Sequence, residues 1–275
     1  MLAPGPEKVD EDGSGRKTRR MLPRLPVSRR RGLKSGINTA TEPAATPVKS
    51  DCEEKCMLTI LDLYDLEHTL AKDYLAQFTY PWEALKGIKD FILQLGPTLG
   101  EDYNEVSEHV WVHKTAKVFP SAYLGAPCII GPNTEVRHCA FIRGSALVGA
   151  DCVVGNSCEL KNVILFDHVQ TPHYNYVGDS ILGYYSHTGA GSITSNVKSD
   201  KKLVVVHNGT EQIETGLKKF GAMIGDYVEV GCNSVLNPGT VIGRHSNVYP
   251  TSCVRGVIPP NSIWKDNGVI VTKHE

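Results

Sequence analysis

No stretch of this 275-residue chain approaches the roughly 20 consecutive apolar residues that a membrane-spanning helix needs. Charged residues make up 21% and hydrophobic residues 41%, with a formal net charge of -1, the balance expected of a soluble protein without a membrane partner. The basic run Arg16, Lys17, Arg19, Arg20, Arg24, Arg29, Arg30, Arg31 and Lys34 contains no acid. It lacks the apolar stretch of about 7–15 residues that a secretory signal would add, and Glu7, Asp10, Glu11 and Asp12 argue against an organelle transit peptide. It also lacks interleaved aromatic side chains for base stacking, so no nucleic-acid partner is expected and the cytoplasm is the expected location. Among the eight cysteines, Cys52 and Cys56 have no second ligand pair nearby, so no metal is expected there.

Residues 1–56 are rich in proline and basic residues, cannot bury a core, and are expected to be disordered. In the span 57–100, Leu61, Tyr64, Leu66, Leu70, Tyr74 and Phe78, then Leu85, Ile88, Phe91, Ile92 and Leu95, recur at three and four. Two short amphipathic helices separated near Tyr80-Pro81 are predicted, forming a cap over an open end of the repeat block that begins near residue 101.

That block carries a sixfold beat. Val112, Val118, Leu124, Ile130, Val136, Ile142, Val148, Val154 and Leu160 are all aliphatic and all six apart. Small or apolar residues hold most fourth positions after the beat, Cys128, Cys152 and Cys158 among them, and these are read as reduced core thiols. Helices repeat at 3.6 and strands at 2, so a strict six marks a repeat architecture. A β-sandwich, with loops of varying length, would lose the phase. The predicted fold is an all-β solenoid, a left-handed parallel β-helix of hexapeptide repeats over residues 101–265, followed by a C-terminal tail at 266–275. The phase returns at Ile224, Val230, Leu236, Ile242, Val248 and Val254. Residues 198–220 then form an insertion, predicted as a hairpin with an Asn208-Gly209 turn and basic ends at Lys198, Lys201, Lys202, Lys218 and Lys219.

Between Phe166 and Val177 the beat is expected to fail, and His168, His173, Tyr174, Asn175, Tyr176 and Asp179 crowd into that region. A regular core has no use for such residues, and local departures from a fold's pattern concentrate at functional sites. Arg143 stands upstream. Lys161 follows in a Gly-Asn…Glu-x-Lys string, His173 and Tyr176 in His-x-x-Tyr-x-Gly-Asp, and Gly189-Ala190-Gly191 and Asn196 come after. In that order and spacing the chain resembles the acetyltransferase domain of the bifunctional bacterial UDP-N-acetylglucosamine pyrophosphorylase/glucosamine-1-phosphate N-acetyltransferase, over roughly residues 110–260. No Gly-rich nucleotide-binding loop lies upstream, so the resemblance excludes the uridyltransferase half. Any likeness to a pyrophosphorylase or nucleotidyltransferase would rest on overall similarity.

The resemblance implies a homotrimer that transfers an acyl group from acetyl-CoA, without a metal, to the amine of an amino-sugar phosphate or nucleotide amino sugar. It implies that His173 is the general base, its imidazole suited to proton transfer near neutral pH. Arg143 and Lys161 would hold the phosphate, Tyr176 and Asn196 would orient the sugar, and backbone N–H groups around Ala190 would face the acetyl carbonyl. His187 stands where the family usually has an asparagine that touches the sugar, Val197 stands for a tyrosine, and Cys232 and Pro250 replace a serine and an alanine in the coenzyme-A region. Two other readings stay open. One is a catalytically silent sugar-phosphate binding module. The other is a γ-carbonic-anhydrase-like zinc site using His168, His173 and His138.

Overall fold

Stacking of inward aliphatic side chains fixes the architecture. The computed structural model describes residues 58–265 and 268–273; the stretch 1–56, with its basic run and Cys52 and Cys56, lies outside the described residues. From Val110 the chain winds as a left-handed parallel β-helix, each regular coil giving one short strand to each of three faces. On the first face Val110–His113 pairs with Cys128–Ile130, and that strand with Ala146–Val148. On the second, Lys117–Val118 pairs with Glu135–Val136 and then Val153–Asn156. On the third, Tyr123–Leu124 pairs with Phe141–Ile142. Residues 18 apart face each other across successive coils, as Lys117 and Glu135 do. Ile130, Val136, Ile142, Val148, Val154 and Leu160 are completely buried, each contributing about 1.5–3 kcal/mol.

The beat does not fail after Leu160. It slips by one residue at two corners, so that Asn162 and Asp179, on adjacent coils, are 17 apart. The inward row continues as Leu165, Thr171, Val177, Leu182, Thr188 and Thr194, all buried. Three threonines in this row disguise it. Their hydroxyls donate to the carbonyls of Val153, Gln170 and Tyr176 at 3.3–3.4 Å, which is how a polar group is tolerated inside the prism. At both short corners the strand runs on without a break, giving the seven-residue strands Glu159–Leu165 and Tyr176–Leu182 that pass from the third face to the first.

The insertion lengthens one coil, so that His187 and Glu229 meet although 42 residues apart. Its strands Val205–Asn208 and Glu211–Glu214 pair antiparallel. The two loop residues are Gly209 and Thr210, with Gly209 left-handed at φ 58°, so Asn208 ends a strand and does not form the turn. Val204, Val206, Leu217 and Phe220 are buried, and Val204 lies against Gly239. The hairpin therefore packs back on its own coil.

The N-terminal segment forms three short α-helices, α1 (Ile60–Leu63), α2 (Lys72–Leu75) and α3 (Ile88–Leu95), linked by 3-10 turns, in place of the two helices predicted. Pro81 opens one of those turns, Pro81–Lys86. The segment also sits elsewhere than expected. It covers the outer side of the first face, where the outward residues Ile129, Leu147, Ile164, Ile181 and Met223 are as buried as the inward row. Tyr64 packs on Phe166 with ring centroids 5.1 Å apart and donates its hydroxyl to the Ile181 carbonyl. The Asp226 carboxylate accepts from the Asp65 N–H at 2.7 Å, the Tyr184 N–H at 2.8 Å and Arg244 Nη2 at 2.7 Å. The solenoid's ends carry antiparallel strands instead, Tyr103–Ser107 on Val110–His113 and Ile270–Thr272 on Ser262–Trp264. No helix among the described residues is long and apolar enough to cross a membrane.

Cys128, Cys152 and Cys158 are buried and unpaired. Burial pushes the thiols of Cys128 and Cys152 up to about 12 and raises that of Cys158. These three thiols stay protonated at neutral pH, and the thiolate is the reactive species. Peptide mapping after iodoacetamide treatment of the native protein at pH 8 should find Cys139, Cys232 and Cys253, which are exposed, labelled. Cys128, Cys152 and Cys158 should remain unlabelled until denaturant is added.

Candidate active site

Corners are where a β-helix exposes residues free of the inward pattern, and two corners bound the third face. At the corner between the second and third faces, backbone bonds tie one coil to the next. Tyr174 N–H donates to the Asn156 carbonyl at 3.0 Å, Gly191 to His173 at 3.0 Å, Asn233 to Ala190 at 2.8 Å, and Thr251 to Cys232 at 2.7 Å. Asn156, His173, Ala190 and Cys232 thus form one column parallel to the helix axis. Pro250 joins it at the next level, its backbone nitrogen closely packed on Gly231 as that of Cys232 is on Gly189. Successive levels lie about 4.7–4.9 Å apart.

His173 closes the strand Gln170–His173 and is exposed. The buried Asn175 side chain holds its backbone, accepting the His173 N–H at 3.1 Å and donating to the Gly189 carbonyl at 2.8 Å. Among the described residues the His173 ring has no hydrogen-bond partner. In the same sense the Ala190 N–H meets no protein acceptor, while the neighbouring Gly189 and Gly191 N–H groups do. A histidine and a spare backbone donor one coil below it therefore share one edge.

The second group lies on the outer side of the third face and at its far corner. Phe141, Glu159, Tyr176 and Ile193 stand in register on consecutive coils. Arg143 Nη1 binds Glu159 Oε1 at 2.8 Å. Lys161 Nζ binds both oxygens of Asp179 at 2.7 and 2.9 Å, and the same carboxylate accepts from Asn162 Nδ2 at 3.0 Å and Asn196 Nδ2 at 2.5 Å. Asn196 also donates to the Tyr176 hydroxyl at 3.1 Å. Asp179 is only 3% exposed, and these donors satisfy both of its oxygens, as burial of a carboxylate requires. Burial, then the carboxylates of Asp179 and Glu159, hold the Tyr176 phenol above its ordinary value, so it stays protonated and can donate. The short corners put Asn162 and Asp179 in left-handed backbone at φ 55° and 48°, a conformation these two residue types tolerate better than most.

Of the residues singled out from the sequence, Arg143, Lys161, Tyr176 and Asn196 fall together on this cluster, and His173, Ala190, Cys232 and Pro250 fall together on the column. His187 joins neither group. It lies on the second face in the strand His187–Thr188, with Nδ1 2.7 Å from Glu229 Oε2. The hub of the cluster, Asp179, together with Asn162 and Glu159, was not assigned a role from the sequence. The signal was there, since Glu159 opens the Glu-x-Lys string and Asp179 closes the Tyr-x-Gly-Asp string around the assigned residues. His168 and His173 flank opposite ends of one second-face strand, about 16 Å apart at 3.3 Å per residue. His168 stacks on Tyr185 with centroids 4.4 Å apart. One chain does not bring these two histidines to a common metal.

The chain belongs to the GMPPB C-terminal domain family, whose model matches residues 127–267. It is 28% identical over 208 residues to a bifunctional sugar-1-phosphate nucleotidylyltransferase/acetyltransferase of Sulfurisphaera tokodaii, covering 70% of this chain and 52% of that protein. It is 30% identical over 206 residues to the bifunctional protein GlmU of Methanococcus maripaludis, covering 74% and 50%. The chain thus spans about half the length of these relatives. A solved structure of the N-acyltransferase AntD from Bacillus cereus is similar at 13% identity and a TM-score of 0.33, covering 64% of this chain and 92% of that one.

The Asp179 hub should dominate local stability. Asp179→Ala leaves the part-buried Lys161 ammonium and two amides without their acceptor, and should cost about 3–5 kcal/mol in urea unfolding. Adding Lys161→Met to that variant should recover part of the loss, because the uncompensated charge is then gone.

Proposed function

We propose that this protein is an acetyl-CoA-dependent N-acyltransferase, working as a homotrimer on an amino-sugar phosphate or nucleotide amino sugar. The strongest support is the pairing on one third-face coil of His173, free at its edge, with Tyr176, whose hydroxyl is held by Asn196 in a cluster anchored on Asp179. In this reading the sugar lies across the third face, its hydroxyls meeting Tyr176, Asn196 and Lys161. Its amine is presented to His173, which takes the proton as the nitrogen attacks the thioester carbonyl. The new C–N bond forms, the C–S bond breaks, and the coenzyme-A thiolate leaves and is protonated. The spare Ala190 N–H suits the oxygen on which charge gathers in the tetrahedral intermediate. Coenzyme A would run down the column past Cys232 and Pro250.

Arg143 and Lys161 are each already bound to a carboxylate, so in this reading they shape and neutralise the site more than they attract a phosphate. The test is release of free thiol from acetyl-CoA by the full chain, offered glucosamine-1-phosphate and a panel of nucleotide amino sugars. One acceptor should turn over, and His173→Ala should lower kcat/KM for it by about 10²-fold or more. Thiol release unaffected by His173→Ala would remove the base from this role. Silence across the panel, with the sugar phosphate still bound, would establish the binding module.

A further inference from the structure

Beside the Asp179 cluster, at the corner between the third and first faces, lies a cavity of about 440 Å³ whose walls include Lys86, Lys161, Asn162, Asp179, Lys218 and Lys219. Four ammonium groups face this space with one carboxylate. Lys161 is neutralised by Asp179 at 2.7 Å, and the remaining oxygen contacts of Asp179 go to Asn162 and Asn196. Lys86, Lys218 and Lys219 have no carboxylate within ion-pair reach among the described residues. They are exposed, but they converge from separate elements.

Both carriers are clamped to the cluster. Leu85, next to Lys86 in the turn Pro81–Lys86, accepts a hydrogen bond from Asn162 Nδ2 at 3.1 Å. Phe220, next to Lys219, is buried, donates its N–H to the Asn196 carbonyl at 3.0 Å and packs on Trp82 at 5.7 Å. Lys86 Nζ itself lies against Gly216. The two asparagines that hold Asp179 thus also hold the N-terminal segment, through the Asn162 amide, and the end of the insertion, through the Asn196 backbone carbonyl, and with them three unpaired positive charges. Like charges brought together repel, and a multivalent anion among them removes the repulsion and gains hydrogen bonds that are charged on both sides.

We infer that Lys86, Lys218 and Lys219 form an anion site for the diphosphate of a nucleoside-diphosphate-linked substrate. Three ammonium groups carried on two separate elements suit two linked phosphate groups, which offer more acceptor oxygens over a longer span than one phosphate does. His173 and Asp179 bracket the third face within one coil, separated by no more than about 20 Å of extended chain. A sugar joined to a nucleoside through a diphosphate can present its amine at one edge and its diphosphate at the other. The anion site stands on its own geometry; its link to acyl transfer rests on the function proposed above.

Direct binding separates the two. Inorganic pyrophosphate and inorganic phosphate are titrated calorimetrically into the full chain in metal-free buffer at low salt, alongside Lys86→Ala, Lys218→Gln/Lys219→Gln and Lys86→Arg. Pyrophosphate should bind more tightly than phosphate and weaken as salt is added. Lys86→Ala and the double substitution should each weaken it by about tenfold or more, the loss expected for a charged hydrogen bond, while Lys86→Arg should retain most of it. Urea unfolding of each variant shows whether the fold is kept, and the double substitution Lys218→Gln/Lys219→Gln carries the test if Lys86→Ala does not fold. Absence of pyrophosphate binding, equal affinity for phosphate, or affinity unchanged by the lysine substitutions overturns the site. Pyrophosphate bound by these lysines in a protein without acyl transfer would leave the site standing and overturn the enzymatic reading alone.

Discussion

Each coil must return to the same register, because every inward side chain packs on its equivalent one coil away, and a slip of one residue turns a strand's inward row outward. The chain can change its residue count only at a corner. It uses that freedom twice on consecutive coils, at Asn162 and Asp179, and once more after Asn196, where the insertion leaves before Phe220 bonds back to the Asn196 carbonyl. The candidate cluster lies where these three departures stack. Shortening the corner turns Asn162 and Asp179 toward each other and toward Lys161, which in a regular 18-residue coil would face a glycine-serine corner like Gly144-Ser145.

Much of this was legible in the sequence. The sixfold beat read out the solenoid because its inward residues are aliphatic and see only one another. The motif strings brought Arg143, Lys161, Tyr176 and Asn196 to one cluster, and His173, Ala190, Cys232 and Pro250 to one corner column. Two features stayed hidden for one reason: each depended on a contact between residues far apart in sequence. Thr171, Thr188 and Thr194 hid the inward row because their hydroxyls bond carbonyls one coil away, which no local pattern reports. His187 was read by position in a motif, and its partner Glu229 arrives only across the insertion.

The placement of the N-terminal segment had a signal that went unread. At every third beat the residue before it is also aliphatic, as in Ile129-Ile130, Leu147-Val148, Ile164-Leu165 and Ile181-Leu182. One face of the prism is therefore apolar on both sides, and a sheet buried on both sides needs a second layer. The helices supply that layer along the flank, and buried polar ties fix their position. Asp226 accepts from Asp65, Asp167 donates its N–H to the His68 carbonyl at 3.0 Å, and Asn162 donates to Leu85. Sliding the segment would strand these groups without partners, each at a cost of about 1–3 kcal/mol. This makes the flank specific where an apolar surface alone would be slippery.

The same ties join the covering layer to the chemistry. Asn162 divides its amide between the Leu85 carbonyl and the Asp179 carboxylate, and Asn196 divides its groups between Asp179, Tyr176 and the returning insertion. The two cations beside Tyr176 are spent internally, Arg143 on Glu159 and Lys161 on Asp179, so the third face is close to neutral where a sugar ring would lie. The unpaired charge at the adjacent corner comes from the two elements that the repeat does not encode, the flanking segment with Lys86 and the insertion with Lys218 and Lys219. A repeat fold constrains its inward row tightly and its appendages hardly at all. Recognition of a charged group can therefore be set by the appendages while the coil beneath keeps the register on which the reacting groups depend.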